Sequence, residues 1–356
     1  ASQARVEDLN QDGYPDIVLA CQGDPARQVS LIYWGGPTGY AADRRTELPT
    51  LHATDVALAD FNGDGWTDVA FANEHDGKTY DVNSYIYWNG PRGFDASARQ
   101  DLQGFGPVSL QAADLDRDGR AELVLVNRNS GALTALNTFI YWGNAAHYYS
   151  TAAMATVPGA PGVTLSSADF DQDGWLDLVF ANGLVYSGGP GGYSTARAVN
   201  LDVKDGMGST VGDFNRDGYL DLILVGGIRE TSHAVIFWGG AGGLAKDRQS
   251  TLKLGTRLSL SASAADLNKD GWLDLICTDL DSNVAEIFWG GAGGFTAERK
   301  TRLPVLSAGT VEIADLDSDG WLDLILGGGY DPKTPGRPAR QAMIAFGGAG
   351  GTNGYT

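Results

Sequence analysis

The chain has 356 residues, is 43% hydrophobic and carries a formal net charge of −19. Its length suits one large repeat array or two ordinary domains, and its acidity disfavours a nucleic-acid partner. No run approaches the roughly 18 apolar residues that a membrane-spanning helix needs, so we expect no membrane insertion.

The predicted elements recur in one order along the chain. An acidic phrase, Asp-x-(Asn/Asp)-x-Asp-Gly-x-x-(Asp/Glu), begins at residue 8 and again at 60, 114, 169, 213, 266 and 315. Successive starts are 52, 54, 55, 44, 53 and 49 residues apart. Self-similarity at a period of about 50 residues predicts a fold built from seven repeated units.

Each unit predicts four strands. A run of small and apolar residues such as VALAD (56–60) precedes the acidic phrase, and an apolar run such as DIVLA (16–20) follows it. A third run such as SLIYWGG (30–36) enters a Gly-rich turn, and a polar run such as ADRRTELP (42–49) closes the unit. Short β-branched runs bounded by Gly and Asp are typical of buried strands joined by tight hairpins.

Four-stranded units of this length predict an all-β fold, a seven-bladed β-propeller that spans residues 1–356 as a single domain. A solenoid is the alternative, but its units are usually shorter and its ends need atypical caps. Residues 354–356 align with residues 39–41, so we expect the last blade to lack its fourth strand within this chain. The chain starts at Ala1 rather than Met, which indicates a matured or trimmed product and leaves room for further domains of a larger protein.

The acidic phrases predict calcium loops. Oxygen ligands at positions 1, 3, 5 and 9, a backbone carbonyl at position 7 and Gly at position 6 meet the demands of Ca²⁺. Carboxylates this close repel one another unless a cation lies between them. The absence of His and Cys from the phrases favours Ca²⁺ over zinc or copper. The predicted ligands in the first four loops are Asp8, Asn10, Asp12, Tyr14, Asp16, Asp60, Asn62, Asp64, Trp66, Asp68, Asp114, Asp116, Asp118, Arg120, Glu122, Asp169, Asp171, Asp173, Trp175 and Asp177. Those in the last three loops are Asp213, Asn215, Asp217, Tyr219, Asp221, Asp266, Asn268, Asp270, Trp272, Asp274, Asp315, Asp317, Asp319, Trp321 and Asp323.

An EF-hand loop begins alike but needs a bidentate Glu at position 12. Position 12 is apolar or a thiol in every copy, as at Leu19, Phe71 and Cys277. The third loop departs most from the pattern, with Arg120 and Glu122 in place of an aromatic residue and Asp. We expect up to seven Ca²⁺ ions with a mainly structural role, because seven like loops do not single out a ligand-bridging site.

The units resemble FG-GAP/VCBS repeats, the calcium-loop blades of the integrin α-subunit head and of many bacterial secreted proteins, and are similar in plan to fungal calcium-loop propeller lectins. The likeness covers essentially the whole chain. It implies a seven-bladed propeller whose calcium loops join strands 1 and 2 on one face. Calcium demand also implies an extracellular, cell-surface or periplasmic location.

The loops between second and third strands differ widely, which predicts a ligand surface on the opposite face. We predict a patch formed by residues 22–28, 73–81 and 328–340. Its candidate contacts are Asp24, Arg27, Glu74, His75, Asp76, Tyr80, Tyr330, Asp331 and Arg337. Tyr148 and Tyr149 also lie outside the repeated aromatic positions and are further candidates.

The predicted function is binding or adhesion, with carbohydrate or protein as the ligand. The alternatives are a polysaccharide lyase or hydrolase on the propeller scaffold, and a purely structural repeat scaffold. His75 beside Glu74 and Asp76 is the one conceivable acid–base cluster, and no Ser, Cys or second His stands at motif spacing, so we expect no enzyme. Cys21 and Cys277 are expected to be buried thiols rather than a disulfide.

Overall fold

A computed structural model describes residues 2–22, 28–128, 136–144, 148–158, 163–227, 232–255, 259–279, 283–305, 308–327 and 342–349. The chain divides into two compact units, Ala1–Val163 and Thr164–Thr356. In the described part of the first unit, twelve strands form three antiparallel sheets, each with its strands in chain order. They are β1 (Gln3–Glu7), β2 (Asp16–Ala20), β3 (Val29–Tyr33), β4 (Arg45–Pro49), β5 (Ala53–Ala59), β6 (Asp68–Asn73), β7 (Ser84–Tyr87), β8 (Arg99–Leu102), β9 (Pro107–Ala113), β10 (Glu122–Asn127), β11 (Asn137–Tyr141) and β12 (Met154–Pro158).

The described part of the second unit holds three further sheets of four strands and one of three. Its strands are β13 (Leu165–Ala168), β14 (Asp177–Phe180), β15 (Leu184–Tyr186), β16 (Ala198–Asn200), β17 (Gly206–Gly212), β18 (Asp221–Gly226), β19 (His233–Phe237), β20 (Gln249–Lys253), β21 (Ser259–Ala265), β22 (Asp274–Asp279), β23 (Val284–Phe288), β24 (Lys300–Pro304), β25 (Thr310–Ala314), β26 (Asp323–Gly327) and β27 (Met343–Ala345).

The sheets are the blades of an all-β, seven-bladed β-propeller, as predicted. Each predicted apolar run coincides with the second strand of its blade to within one residue. The last blade has three strands within the described residues, which confirms the predicted gap. Helical structure in the described chain is limited to two single 3₁₀ turns, Thr151–Ala153 and Thr195–Arg197, and no described helix is long and apolar enough to cross a membrane.

The antiparallel pairing gives every blade two distinct ends. In the second blade, for example, Ala59 pairs with Asp68 at one end of the β5–β6 ladder, and Ala53 pairs with Asn73 at the other. The acidic phrase occupies the first of these turns, so we call this end of a blade its acidic end. We call the opposite end, where the first strand of a blade begins and its second strand ends, the far end.

The core lies between neighbouring blades rather than within one sheet. In the first unit, Leu9, Val18 and Ile32 of the first blade pack with Val56 and Phe71 of the second. The second strands are buried along their whole length, because both of their faces are covered. This explains why they read as continuous apolar runs rather than as an alternating pattern.

A glycine that follows the third strand is set by packing. A Cβ atom on Gly35 would lie 2.2 Å from the carbonyl oxygen of Pro15, at position 8 of the acidic phrase. The corresponding glycines Gly188, Gly239 and Gly290 meet the same obstruction in their own blades. The glycine after the third strand therefore marks the point where this strand passes close to the acidic turn.

Both cysteines are free thiols. Cys277 is buried, as predicted, whereas Cys21 is partly exposed, so the expectation of burial was wrong for that residue. Cys21 follows directly on Ala20, the last residue of β2.

Candidate functional site

All seven acidic loops share one hydrogen-bond pattern. The N–H of the fifth residue donates to the side chain of the third at 2.8–3.2 Å. The N–H of the position-6 glycine donates to the first aspartate at 2.7–3.0 Å. The glycine has φ between 83° and 89° in every loop, a left-handed conformation that favours a residue without a Cβ atom. These bonds turn the oxygens of the acidic side chains toward the centre of the loop.

The ninth residue is a predicted ligand, and its carboxylate also links the loop to the backbone that follows the third strand. One of its carboxylate oxygens accepts from the N–H of the second loop residue at 2.6–3.2 Å. The other accepts from a backbone N–H just beyond the third strand at 2.7–3.2 Å. Each oxygen has a second acceptor site, so these bonds leave capacity for a cation.

The same carboxylates are buried charges in need of compensation. Burial raises the pKa of Asp16 to about 6 and that of Asp68 and Glu122 to about 7, and neighbouring loop acids raise these pKa values further while backbone N–H donors lower them. Burial is also the main cause of the raised pKa values of Asp177, Asp221, Asp274 and Asp323. A cation in the loop would reverse this shift, because an opposite charge favours the ionised carboxylate.

Three loops bring several carboxylates together at ligand distance. Oxygen atoms of three acids lie within 4.8 Å of one another in loop three, in loop four and in loop seven. Among the described residues, Asp315 of loop seven has an Oδ1 atom that is buried without a hydrogen-bond partner. A buried oxygen with no donor, inside a set of hard oxygen ligands, fits a divalent cation. These acidic groups could therefore hold metal ions.

Loop three differs in a way that its sequence foreshadows. The Arg120 guanidinium contacts the Asp118 carboxylate at 2.7 Å, so one predicted ligand already has a cationic partner. The three acids that converge in this loop are Asp114, Asp116 and Glu122, without Asp118. A metal in loop three would have to compete with this guanidinium.

Side chains at the fourth loop position contact the loop of the neighbouring blade, within each of the two compact units. Gln11 Nε2 donates to the Gly65 carbonyl at 2.9 Å, and Gln172 Nε2 donates to the Gly218 carbonyl at 2.8 Å. Lys269 Nζ lies 4.1 Å from the centroid of the Trp321 ring, a cation–π contact. The partner in each case belongs to the loop of the next blade, so the loops support one another.

The far end of the second blade gathers a second polar cluster. His52 precedes β5, and Glu74 and His75 follow β6. The imidazoles of His52 and His75 stack with centroids 4.0 Å apart, and His52 Nδ1 lies 3.3 Å from Glu74 Oε2. Tyr80 meets the His75 ring edge-on at 5.5 Å, and Arg128 of the third blade lies 3.5 Å from Glu74 Oε1. Burial and the neighbouring His52 lower the pKa of His75 below its usual value.

The predicted ligand patch is only partly described. Glu74, His75, Asp76 and Tyr80 share the far end of blade two, and Asp76 Oδ1 accepts from the N–H groups of residues 78 and 79. Five further candidates lie outside the described residues, namely Asp24, Arg27, Tyr330, Asp331 and Arg337.

One aromatic candidate was wrong. Tyr149 is 2% exposed, its hydroxyl donates to the Ala121 carbonyl at 2.6 Å, and its ring packs on Phe61. It belongs to the core between the second and third blades. Tyr148, by contrast, is exposed and remains a candidate contact.

Sequence reasoning missed the part played by His52. It is 23 residues from His75, and no motif joins the two. The signal that could have found it is the hairpin register, because pairing of Ala53 with Asn73 places residue 52 beside residue 74. The backbone N–H of Glu74 donates to the His52 carbonyl at 3.2 Å, which continues that ladder.

Comparisons with known proteins agree with the repeat architecture. A family model described as FG-GAP-like repeat matches residues 8–71, 60–125, 114–180, 213–277 and 266–326. Among curated proteins, none matches the chain.

Several solved structures are similar in fold. A periplasmic gluconolactonase of Pseudomonas aeruginosa, PpgL, has a TM-score of 0.61 at 15% identity, with 95% of this chain and 93% of that chain covered. The rhamnogalacturonan lyase YesW has a TM-score of 0.53 at 15% identity, with coverage of 91% and 69%. The V. cholerae biofilm matrix protein Bap1 has a TM-score of 0.50 at 13% identity, with coverage of 99% and 92%. At these identities the likeness concerns the fold alone.

Proposed function

The chain belongs to the FG-GAP-like repeat family, and from that premise we propose that it is a calcium-stabilised extracellular or periplasmic module that binds carbohydrate or protein. The observation that carries this proposal is the contrast between the two ends of the blades. The acidic ends repeat one hydrogen-bond pattern seven times, whereas the far end of blade two displays a cluster of two imidazoles and a carboxylate that recurs nowhere else among the described residues. Like loops suit a structural ion, and unlike loops suit a specific ligand.

Calcium is the ion that we propose for the acidic loops. The donors are carboxylate and amide oxygens with no thiolate or imidazole among them, which suits a hard cation. Its residues would be those at positions 1, 3, 5 and 9, with Asp315 Oδ1 as an oxygen that has no other partner among the described residues. Bound there, the ion supplies positive charge to carboxylates that burial otherwise destabilises, so its binding energy adds to folding.

Ligand recognition is tested by printing the calcium-loaded chain on a glycan array, with and without EDTA. Tyr80→Ala changes the far end of blade two. Asp43 is exposed and lies between β3 and β4, so Asp43→Ala is the control at the acidic end. We expect glycan hits that Tyr80→Ala weakens and Asp43→Ala leaves intact. A blank array from folded, calcium-loaded protein would move the ligand to the protein class, and loss of binding in Asp43→Ala alone would overturn the placement.

The enzymatic alternative has one supporting observation. His75 is next to a second imidazole and to a carboxylate that is 8% exposed, an arrangement from which proton transfer can be built. A lyase and a lactonase occur among the proteins of similar fold, which shows that the scaffold can host catalysis. Turnover on a panel of acidic and neutral polysaccharides, lost in His75→Ala, would support this function.

A further inference from the structure

We propose that His52, Glu74 and His75 form a separate site for a divalent cation of the zinc class, at the far end of the second blade. One ligand atom from each residue lies within 4.8 Å of the others. Two imidazole nitrogens and one carboxylate are a ligand set that zinc uses where a coordination position stays open to water or a further ligand. The inference does not rest on the proposed binding function.

The site is distinct from the acidic loops in place and in chemistry. Loop two and this cluster lie at opposite ends of β5, a strand of seven residues, so about 20 Å separates them. The seven acidic phrases contain no histidine, whereas this cluster supplies two. Imidazole ligands favour zinc-class ions over calcium.

A buried nitrogen at the site has no hydrogen-bond partner in the described chain. His52 Nδ1 comes within 3.3 Å of Glu74 Oε2 but makes no hydrogen bond, and it is buried. The His52 backbone is held at φ 53°, a left-handed conformation that few residues adopt. A polar atom buried in this way, on a residue in an unusual conformation, indicates a ligand that completes the site.

Among the residues that the structure describes, the carboxylate of the cluster has no strong counter-charge. Glu74 is 8% exposed, and its cationic neighbour, Arg128, lies 3.5 Å away with a side chain that is 57% exposed. An exposed guanidinium at this distance compensates a buried carboxylate only weakly. A divalent ion between Glu74 and the two imidazoles would neutralise the charge directly.

Metal binding must break one existing hydrogen bond and tilt the stacked imidazoles of His52 and His75 apart, because an imidazole holds a metal ion in the plane of its ring. Gly77 N–H donates to His75 Nδ1 at 3.0 Å, which places the proton of the neutral ring on Nε2. A metal ion on Nδ1 takes the lone pair that accepts this hydrogen bond. A metal ion on Nε2 moves the proton to Nδ1, which can then no longer accept from Gly77, so either mode of ligation breaks the bond. Gly77 lies in an exposed turn with φ 90°, so the turn can release the bond without disturbing a strand.

The test uses the full chain saturated with Ca²⁺, so that the acidic loops are filled, and titrates it with Zn²⁺ by calorimetry. Wild type is expected to bind one equivalent of Zn²⁺ and to gain thermal stability from it. His75→Gln and His52→Asn are expected to weaken that binding by roughly 100-fold or more, since even residues that only orient a ligand cost 10–100-fold. Asparagine is chosen at position 52 because it tolerates a left-handed backbone.

His233→Gln, at the start of β19 in the second unit, is the control for a histidine outside the cluster and is expected to bind Zn²⁺ as wild type does. Co²⁺ in place of Zn²⁺ gives a second readout through its visible spectrum, which reports nitrogen ligation. If a histidine variant fails to fold by circular dichroism, Glu74→Gln takes its place. Wild type that takes up no Zn²⁺ in the presence of Ca²⁺, or uptake that is equal in wild type and in every folded cluster variant, overturns the proposal.

Discussion

Asp68→Asn is expected to change stability in opposite directions with and without calcium. Asp68 is the ninth residue of loop two and is fully buried. Its carboxylate accepts from Asn89 N–H at 2.7 Å and from Phe61 N–H at 3.1 Å. Asparagine is nearly the same shape but carries no charge and offers one acceptor oxygen in place of two.

The magnitude follows from two opposing terms in the metal-free protein. Burial raises the pKa of Asp68 from 3.8 to about 7, so keeping it ionised near pH 8 costs roughly 4 kcal/mol of folding free energy. The substitution removes that cost and leaves one buried N–H unpaired, which costs about 1–3 kcal/mol. In EDTA the variant is therefore expected to be more stable than wild type by about 1–3 kcal/mol.

Calcium reverses the sign of the stability difference between Asp68→Asn and wild type. The bound ion neutralises the carboxylate, so asparagine no longer relieves an uncompensated charge, and the unpaired N–H remains. The variant also loses ligand stabilisation, about 2.7 kcal/mol for an ion held at 100 times its dissociation constant. Under saturating calcium the variant is therefore expected to be less stable than wild type by several kcal/mol.

The assay is thermal and urea unfolding by circular dichroism, near pH 8, in EDTA and in saturating calcium. Asp95→Asn is the matched control, since Asp95 also accepts two hydrogen bonds but is exposed and lies outside the loops. It should show a small effect of one sign in both buffers. Equal destabilisation of Asp68→Asn in both buffers would contradict the prediction, because the carboxylate would then act only as a hydrogen-bond acceptor.

Three further outcomes are expected. In EDTA, acidification from about pH 8 to pH 5 should stabilise the protein, because burial raises the pKa of Glu122 and its counterparts in the other loops above their ordinary values. The folded state therefore binds protons more tightly than the unfolded state, and stability falls as pH rises through the folded pKa. Urea unfolding at each pH measures this trend, and calcium should abolish it. Arg120→Trp should free Asp118 from its ion pair and raise the calcium affinity of loop three, so that one equivalent of Ca²⁺ binds more tightly in a calorimetric titration. Unchanged binding isotherms would argue against competition by the guanidinium. Gly35→Ala should cost about 1–3 kcal/mol, because its Cβ atom would meet a backbone carbonyl at 2.2 Å, whereas Gly90→Ala, with nothing within 4 Å of its Cβ atom, should have little effect; similar melting temperatures for the two variants would contradict the packing argument.

The repeat number, the strand positions and the place of every acidic loop could be predicted from the amino-acid sequence. These features are local, because an apolar run bounded by Gly and Asp predicts a buried strand wherever it stands. The seven copies reinforced one another, so the second strands of all blades were placed to within one residue. The three-stranded last blade was also predictable, since it follows from alignment of the chain with itself.

The contacts between side chains of different strands and blades could not be predicted in this way. His52 and His75 stack because the β5–β6 register brings the two ends of that hairpin together, and Tyr149 is buried because the second and third blades close over its ring. The ninth loop residue reaches a backbone N–H beyond the third strand, 19 residues from Asp16 in the first blade. Such contacts depend on strand register and on packing between blades, and neither is encoded in the short-range pattern from which strands and loops are predicted.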